Sequence, residues 1–204
     1  MSNKVVFGLK NAHFAPYEII DGEIVYDAPI PLPGSVELSL EPRGEMVEFY
    51  ADDILYYSAA NNQGYDGTLT IANIPEEFLI KALGEQLDEQ DGVLTESTTD
   101  KGKPFALLFE FDGDVKAVRH LLYNCTANRP TIASSTKTDT VEPNIMSFSF
   151  TSSPIVIGNR LLIKTKTTEE TAKSIYDSWY EQVYIKSDRP AQLYAADFVG
   201  VEWE

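Results

Sequence analysis

Very little in this sequence can do covalent or redox chemistry. Its 204 residues contain one cysteine, Cys125, which cannot close an internal disulfide, and two histidines, His13 and His120. Three such residues lack the closely spaced ligand pairs of a zinc motif, and neither histidine sits in a recognisable nucleophile context. The glycines are isolated at turn positions, so there is no Gly-rich loop to cradle a phosphate. Basic residues are scarce, at 16 Lys and Arg against 32 Asp and Glu for a net charge of −16, which removes the electrostatic footprint of ordinary nucleic-acid binding and repels anionic membranes. No apolar run approaches the roughly 20 residues of a membrane helix. The N-terminus has no signal-peptide pattern, so synthesis in the cytoplasm is expected.

What remains is β-rich and aromatic. The segment from Phe105 to Pro130 reads as a hairpin turning at Asp112-Gly113, a pair suited to a type I′ connection. Phe105, Leu107, Phe109 and Phe111 alternate with Ala106, Leu108 and Glu110; on the return strand, Arg119, Leu121, Tyr123 and Cys125 alternate with His120, Leu122, Asn124 and Thr126. A hairpin so apolar on both faces belongs at the centre of a sandwich or barrel, where Cys125 acts as a small buried hydrophobe.

In chain order, residues 4–14 predict an extended segment, with Glu23–Tyr26 following a turn at Asp21-Gly22. Pro29, Pro31 and Pro33 predict a linker outside the sheet. In 36–41, Val36, Leu38 and Leu40 predict a core face and Glu37, Ser39 and Glu41 a wet, acidic one. Residues 42–67, carrying Phe49, Tyr50, Asp52, Asp53, Tyr56, Tyr57 and Tyr65, read as a long excursion with some strand content, suited to an interface. A strand at 68–72 leads to a short helix opened by Pro75 and closed by Gly84, with Phe78, Leu79, Ala82 and Leu83 inward. Loops are expected over 85–103 and 131–142, and strands at Met146–Phe150 and Leu161–Ile163. The capping-box pattern Thr167-Thr168-Glu169-Glu170 predicts a second helix with Ala172, Ile175 and Trp179 on one stripe and Tyr176, Tyr180 and Val183 beside it. His13 is expected on an exposed side and His120 within a strand. Asp112-Gly113-Asp114 and Asp88-Glu89-Gln90-Asp91 follow no calcium-loop pattern. No catalytic, cofactor-binding or metal-binding residue is assigned; Asn124-Cys125-Thr126 reads as a chance glycosylation sequon.

Several extended stretches carry a family resemblance. They are Asn3 to His13, Pro33-Gly34-Ser35-Val36 with Leu38 to Pro42, Phe49 to Asp52, Asn73 to Phe78, Phe105 to Asp114 and, longest, Arg119 to Pro130. In these the chain resembles the major tail protein, the tail-tube subunit, of long-tailed bacteriophages of the phi13-type group; residues 187–204 exceed the family pattern.

The resemblance implies a mainly β fold, a two-sheet β-sandwich or barrel with a flanking α-helix, over residues 1–186, with 187–204 an extension or arm. It implies a structural virion protein, made in the host bacterial cytoplasm, that closes into hexameric rings stacking into a siphovirus tail tube. Its partners would be further copies of itself, the tape-measure protein, the tail terminator and distal tail-tip proteins, with DNA in transit only, no membrane and no cofactor. Glu37 and Glu41 are the candidate acidic residues of the lumen, since carboxylates repel phosphates over a Debye length of about 8 Å. The aromatic excursion is the candidate inter-ring loop. A β-sandwich carbohydrate-binding or adhesion module, using Tyr56, Tyr57 and Tyr65 as sugar platforms, is the alternative; an acidic hydrolase would need paired carboxylates in a cleft.

Overall fold

The computed structural model describes residues 3–134, 136 and 144–186. The expected extension at 187–204 and most of the 131–142 connection lie outside these. The chain is mainly β, as the alternation predicts, and its helices are short. The large sheet is built on β1 (Val6–Ile20), β2 (Glu23–Tyr26), β3 (Ile30–Pro31), β4 (Ser35–Arg43), β7 (Gly64–Ile71), β10 (Phe105–Gly113), β11 (Val118–Ala127), β12 (Met146–Ser152) and β15 (Lys164–Lys166). Three two-stranded ribbons complete the set: β5 (Met46–Ala51) with β6 (Ile54–Ala60), β8 (Gln86–Leu87) with β9 (Leu94–Thr95), and β13 (Ile155–Ile157) with β14 (Arg160–Leu162). The main path runs β2-β1-β10-β11-β12-β7-β4, antiparallel throughout, with β3 added to β1 and β15 to β11. Its ends curl together, so that β4 comes back beside β1.

Inside the curl lies a core of Phe14, Leu69, Ile71, Phe105, Leu107, Phe109, Leu122, Cys125, Phe148 and Phe150. The short helix α1 (Glu76–Phe78), continued by a wider π turn over Leu79–Leu83, closes one opening; Phe78, Ala82 and Leu83 are buried and Leu79 partly so, as its pattern predicts. Phe78 meets Phe14 edge-on at 5.0 Å and Phe148 at 4.6 Å between ring centroids. On the outer face, Ala15, Ala106, Leu108, Leu121 and Tyr123 are covered by Trp179 and Val183, which follow the helix α2 (Lys173–Asp177).

The central hairpin is present, but its details differ from the strict alternation. β10 continues through Gly113 and the connection is Asp114–Ala117, because Asn3 organises it. The Asn3 amide oxygen accepts the backbone N–H groups of Val115 and Lys116 at 3.1 and 3.0 Å, and its nitrogen donates to Lys116 carbonyl at 2.6 Å. Along β11, Phe105 pairs with Cys125 and Leu107 with Leu122, so Tyr123 and Asn124 together oppose Ala106. This bulge moves Cys125 to the inner face beside Leu122, whereas Leu121 and Tyr123 face outward.

Four other expectations are corrected. Ile30-Pro31 pairs with Phe14 and His13 rather than leaving the sheet, since Pro31 occupies an edge and the following Leu32 N–H donates to Ala12 carbonyl at 2.7 Å. A register shift between Ser35 and Glu37 turns Val36 outward, leaving Leu38 and Leu40 on the core. The polar stretch 85–103 contains the β8–β9 ribbon. The capping box is not used: Thr167 is buried, its hydroxyl accepts the Arg119 N–H at 2.9 Å, and α2 starts after Ala172, which is exposed.

Candidate functional site

Two surfaces stand out, and the first is the ribbon β5–β6. Gly44 and Gly64 sit at its base with φ of 110° and 102°, where an added Cβ would collide with the carbonyl oxygens of Asn61 and Ser152. At its tip Asp52 and Asp53 both have positive φ, 51° and 62°, so the type I′ geometry expected at 112–113 occurs here. The register pairs Val47 with Ala59, Phe49 with Tyr57 and Ala51 with Ile54 on one face. The opposite face holds Met46 with Ala60, Glu48 with Ser58 and Tyr50 with Leu55, and Tyr56 is the extra, bulged residue. Among the described residues, neither face has a core beneath it. Met46, Val47, Phe49, Tyr50, Ile54, Leu55, Tyr56 and Tyr57 are each between 48 and 70% exposed. An isolated two-stranded ribbon is marginal in water, and an apolar patch this continuous marks a contact surface.

The structure thus brings together Phe49, Tyr50, Asp52, Asp53, Tyr56 and Tyr57, but not Tyr65. Tyr65 lies on β7, where its hydroxyl accepts from Lys164 Nζ at 3.0 Å and its ring sits 4.4 Å from that ammonium. Three tyrosines therefore form no common sugar platform. Met46, Val47, Ile54 and Leu55 belong to the same surface and were not singled out from the sequence.

The second surface is the outward face of β4, β7 and β12. Register aligns Glu37, Thr70 and Ser147 in one row, Ser39, Thr68 and Ser149 in the next, and Glu41, Asp66 and Thr151 in the third. The sequence reading found Glu37 and Glu41; the other rows were visible as period-two runs, Asp66-x-Thr68-x-Thr70 and Ser147-x-Ser149-x-Thr151. Every side chain in this grid is short or acidic. Thr151 donates to Asp66 at 3.0 Å, and Arg43 approaches the same carboxylate at 3.6 Å. Glu41 and Asp66 lie on a shallow, open groove, which lacks the enclosure that glycoside cleavage between paired acids requires.

Three further titratable groups are shaped by burial. Burial pushes the Cys125 thiol up to about 12, which makes it unreactive. His13 is half-buried rather than exposed, stacked at 4.6 Å on Tyr180, and desolvation lowers its pKa. His120 stacks at 5.0 Å on Phe109; burial first, and then Lys164 and Lys166, hold it down at about 4. Because the unfolded chain binds this proton near pH 6.5 and the folded one only near pH 4, stability is full above pH 6.5 and falls as pH drops toward 4. His120→Phe should therefore narrow the gap between thermal midpoints measured at pH 7 and pH 4.5. An unchanged gap would place the acid sensitivity elsewhere. Among the described residues no group of three or more His, Cys, Asp or Glu is placed to hold a metal ion, and no helix is long and apolar enough to cross a membrane.

No protein-family model and no curated protein sequence matches the chain. Among solved structures, the chain is similar to the tube-terminating cap of the anti-feeding prophage. That alignment has a TM-score of 0.46 and 9% identity and covers 82% of this chain and 95% of the other. It is also similar to the sheath/tube terminator of an extracellular contractile injection system, PVC, in its extended state, with a TM-score of 0.42, 10% identity and coverage of 75% and 92%. Both likenesses are distant.

Proposed function

We propose that this chain is a structural subunit of a phage tail tube, a non-enzymatic protein that associates with copies of itself. One observation carries the reading: the β5–β6 ribbon presents eight large apolar side chains to water on both faces and has no core of its own. Such a surface is stable only when covered, and a chain of net charge −16 needs no help staying soluble otherwise. The sequence resemblance to phi13-type major tail proteins supplies the finer form of the proposal: hexameric rings, stacking into a tube, around the tape-measure protein and between a terminator and a tail tip. The grid of β4, β7 and β12 suits the lumen. Its side chains are hydroxyls and carboxylates, the neighbouring Arg43 is held against Asp66, and Glu37, Glu41 and Asp66 repel phosphates at close range.

The test is electron microscopy of the purified protein over a concentration series, with light scattering alongside, alone and seeded with preassembled tail tips. Hollow tubes whose inner wall carries the β4–β7–β12 face are the expected result. A chain that stays monomeric even on tail tips overturns the proposal.

A further inference from the structure

We infer that residues 187–204 of this chain pack into the groove formed by its own α2 and the segment after it. The inference is independent of the self-association reading. The groove has a volume of about 710 Å³, within the range of sites that bury ligand side chains, and Ile175, Trp179, Val183, Tyr184 and Ile185 give it an apolar side. Trp179 and Val183 rest on the outer core, whereas Ile185 is 40% exposed. Trp179 itself is 3% exposed, and its indole N–H is enclosed without a hydrogen-bond partner. Buried donors are normally satisfied, so this wall calls for an occupant that brings an acceptor.

Position, composition and charge select that occupant. Ile185 and Lys186 stand in the groove wall, so the chain continues into residue 187 from the groove itself. Ser187-Asp188-Arg189-Pro190 is a polar, proline-containing stretch suited to reversing the chain. Beyond it come Leu193, Tyr194, Phe198, Val199, Val201 and Trp203, whose apolar surface matches that of the groove. Among the described lining residues Lys186 is the only charged one, and the segment carries Asp188, Asp197, Glu202 and Glu204 against Arg189, so the signs are complementary within one groove. A backbone carbonyl of the segment then serves as the acceptor for Trp179. Tethered this closely, the segment meets its own groove at an effective concentration on the order of millimolar, which favours it over the same segment of a second copy in dilute solution.

The test is amide hydrogen exchange of the full-length chain, at a dilution where light scattering gives the monomer mass. Amides in 191–204 should exchange about tenfold or more slowly than those of an unstructured chain. Gln182→Glu with Ile185→Asp places two acids in the groove against an acidic segment, and should remove that protection while exchange over 105–127 stays as in the parent. Tyr194→Asp with Phe198→Asp should remove it from the other side, and amides in 181–186 should then exchange at least about threefold faster. If the groove pair loosens the fold, faster exchange over 105–127 shows it, and the segment pair decides alone. An unprotected segment, or protection that survives the segment pair, overturns the inference. Protection that appears only on assembly overturns it as well, because the groove then belongs to the segment of a second copy. The self-association reading is tested separately, by polymerisation.

Discussion

Replacing Phe49, Tyr56 and Tyr57 together by serine should leave the subunit as stable as before and unable to polymerise. The two halves of that result have different causes. In the isolated subunit these rings touch little beyond each other, Phe49 meeting Tyr56 edge-on at 6.5 Å, and all three are more than half exposed. Exposed positions without such support usually shift stability by no more than about 0.5 kcal/mol each. In the assembly each ring would be covered, and burying a side chain of that size is worth about 1.5–3 kcal/mol. Losing three such contributions weakens association by at least about a thousandfold, since each factor of ten corresponds to about 1.4 kcal/mol. Sedimentation velocity and thermal unfolding on the same samples read both halves. A variant that polymerises like the parent would show that the ribbon is not the contact.

The tip of the ribbon adds a conformational point. Asp52 and Asp53 adopt positive φ without being glycine, which costs an L-residue some strain, although Asp tolerates it better than most. Two acids at an exposed tip also repel one another and any acidic neighbour. They keep the tip of the ribbon in water and discourage edge-to-edge pairing along β5 and β6.

The fold was legible where one face is buried and the other is not. Leu69 and Ile71 against Thr68 and Thr70, and Phe148 and Phe150 against Ser147 and Ser149, give the strands β7 and β12 and the polar grid outside them. It was illegible where a distant partner overrides a local preference. Thr167 carries a strong N-cap signal, yet its hydroxyl and its N–H are both taken by the backbone of Arg119, forty-eight residues earlier. The bulge at Tyr123-Asn124 depends on Ala106 across the ladder, and no pattern within β11 alone reveals it. The β5–β6 ribbon escaped as a regular hairpin for another reason. Both of its faces are apolar, so period two produces no contrast, and the composition reads as an aromatic loop instead.

Glu110→Ala should be among the most destabilising single changes available, at about 3–5 kcal/mol, the range for leaving one member of a buried ion pair alone. Glu110 is only 6% exposed, on the outer face of β10, and its carboxylate takes Arg119 Nε at 3.1 Å, the Asn11 amide at 2.7 Å and the Tyr180 hydroxyl at 3.3 Å. Asn11 reaches it through a positive φ of 49° at a register shift in β1. The Arg119 guanidinium lies 3.8 Å from the Tyr176 ring centroid and 5.0 Å from that of Tyr180, and it also donates to the Tyr176 carbonyl. This one pair therefore clamps α2 and the segment after it to the sheet, with Trp179 beneath. Removing Glu110 leaves a charged guanidinium boxed between two rings with no counter-ion, so the segment should lift to solvate it. In a Trp203→Phe background, Trp179 emission should then shift to the red at denaturant concentrations where the parent is still folded. Glu110→Leu with Arg119→Met should recover most of the loss, because packed apolar side chains can replace such a pair at little cost. Were Glu110→Ala to cost less than about 1 kcal/mol, the range of an exposed ion pair, the clamp would be solvated and the docking of α2 would rest on the packing of Trp179 and Val183 and on the Tyr176 hydroxyl's bond to the Ala117 carbonyl.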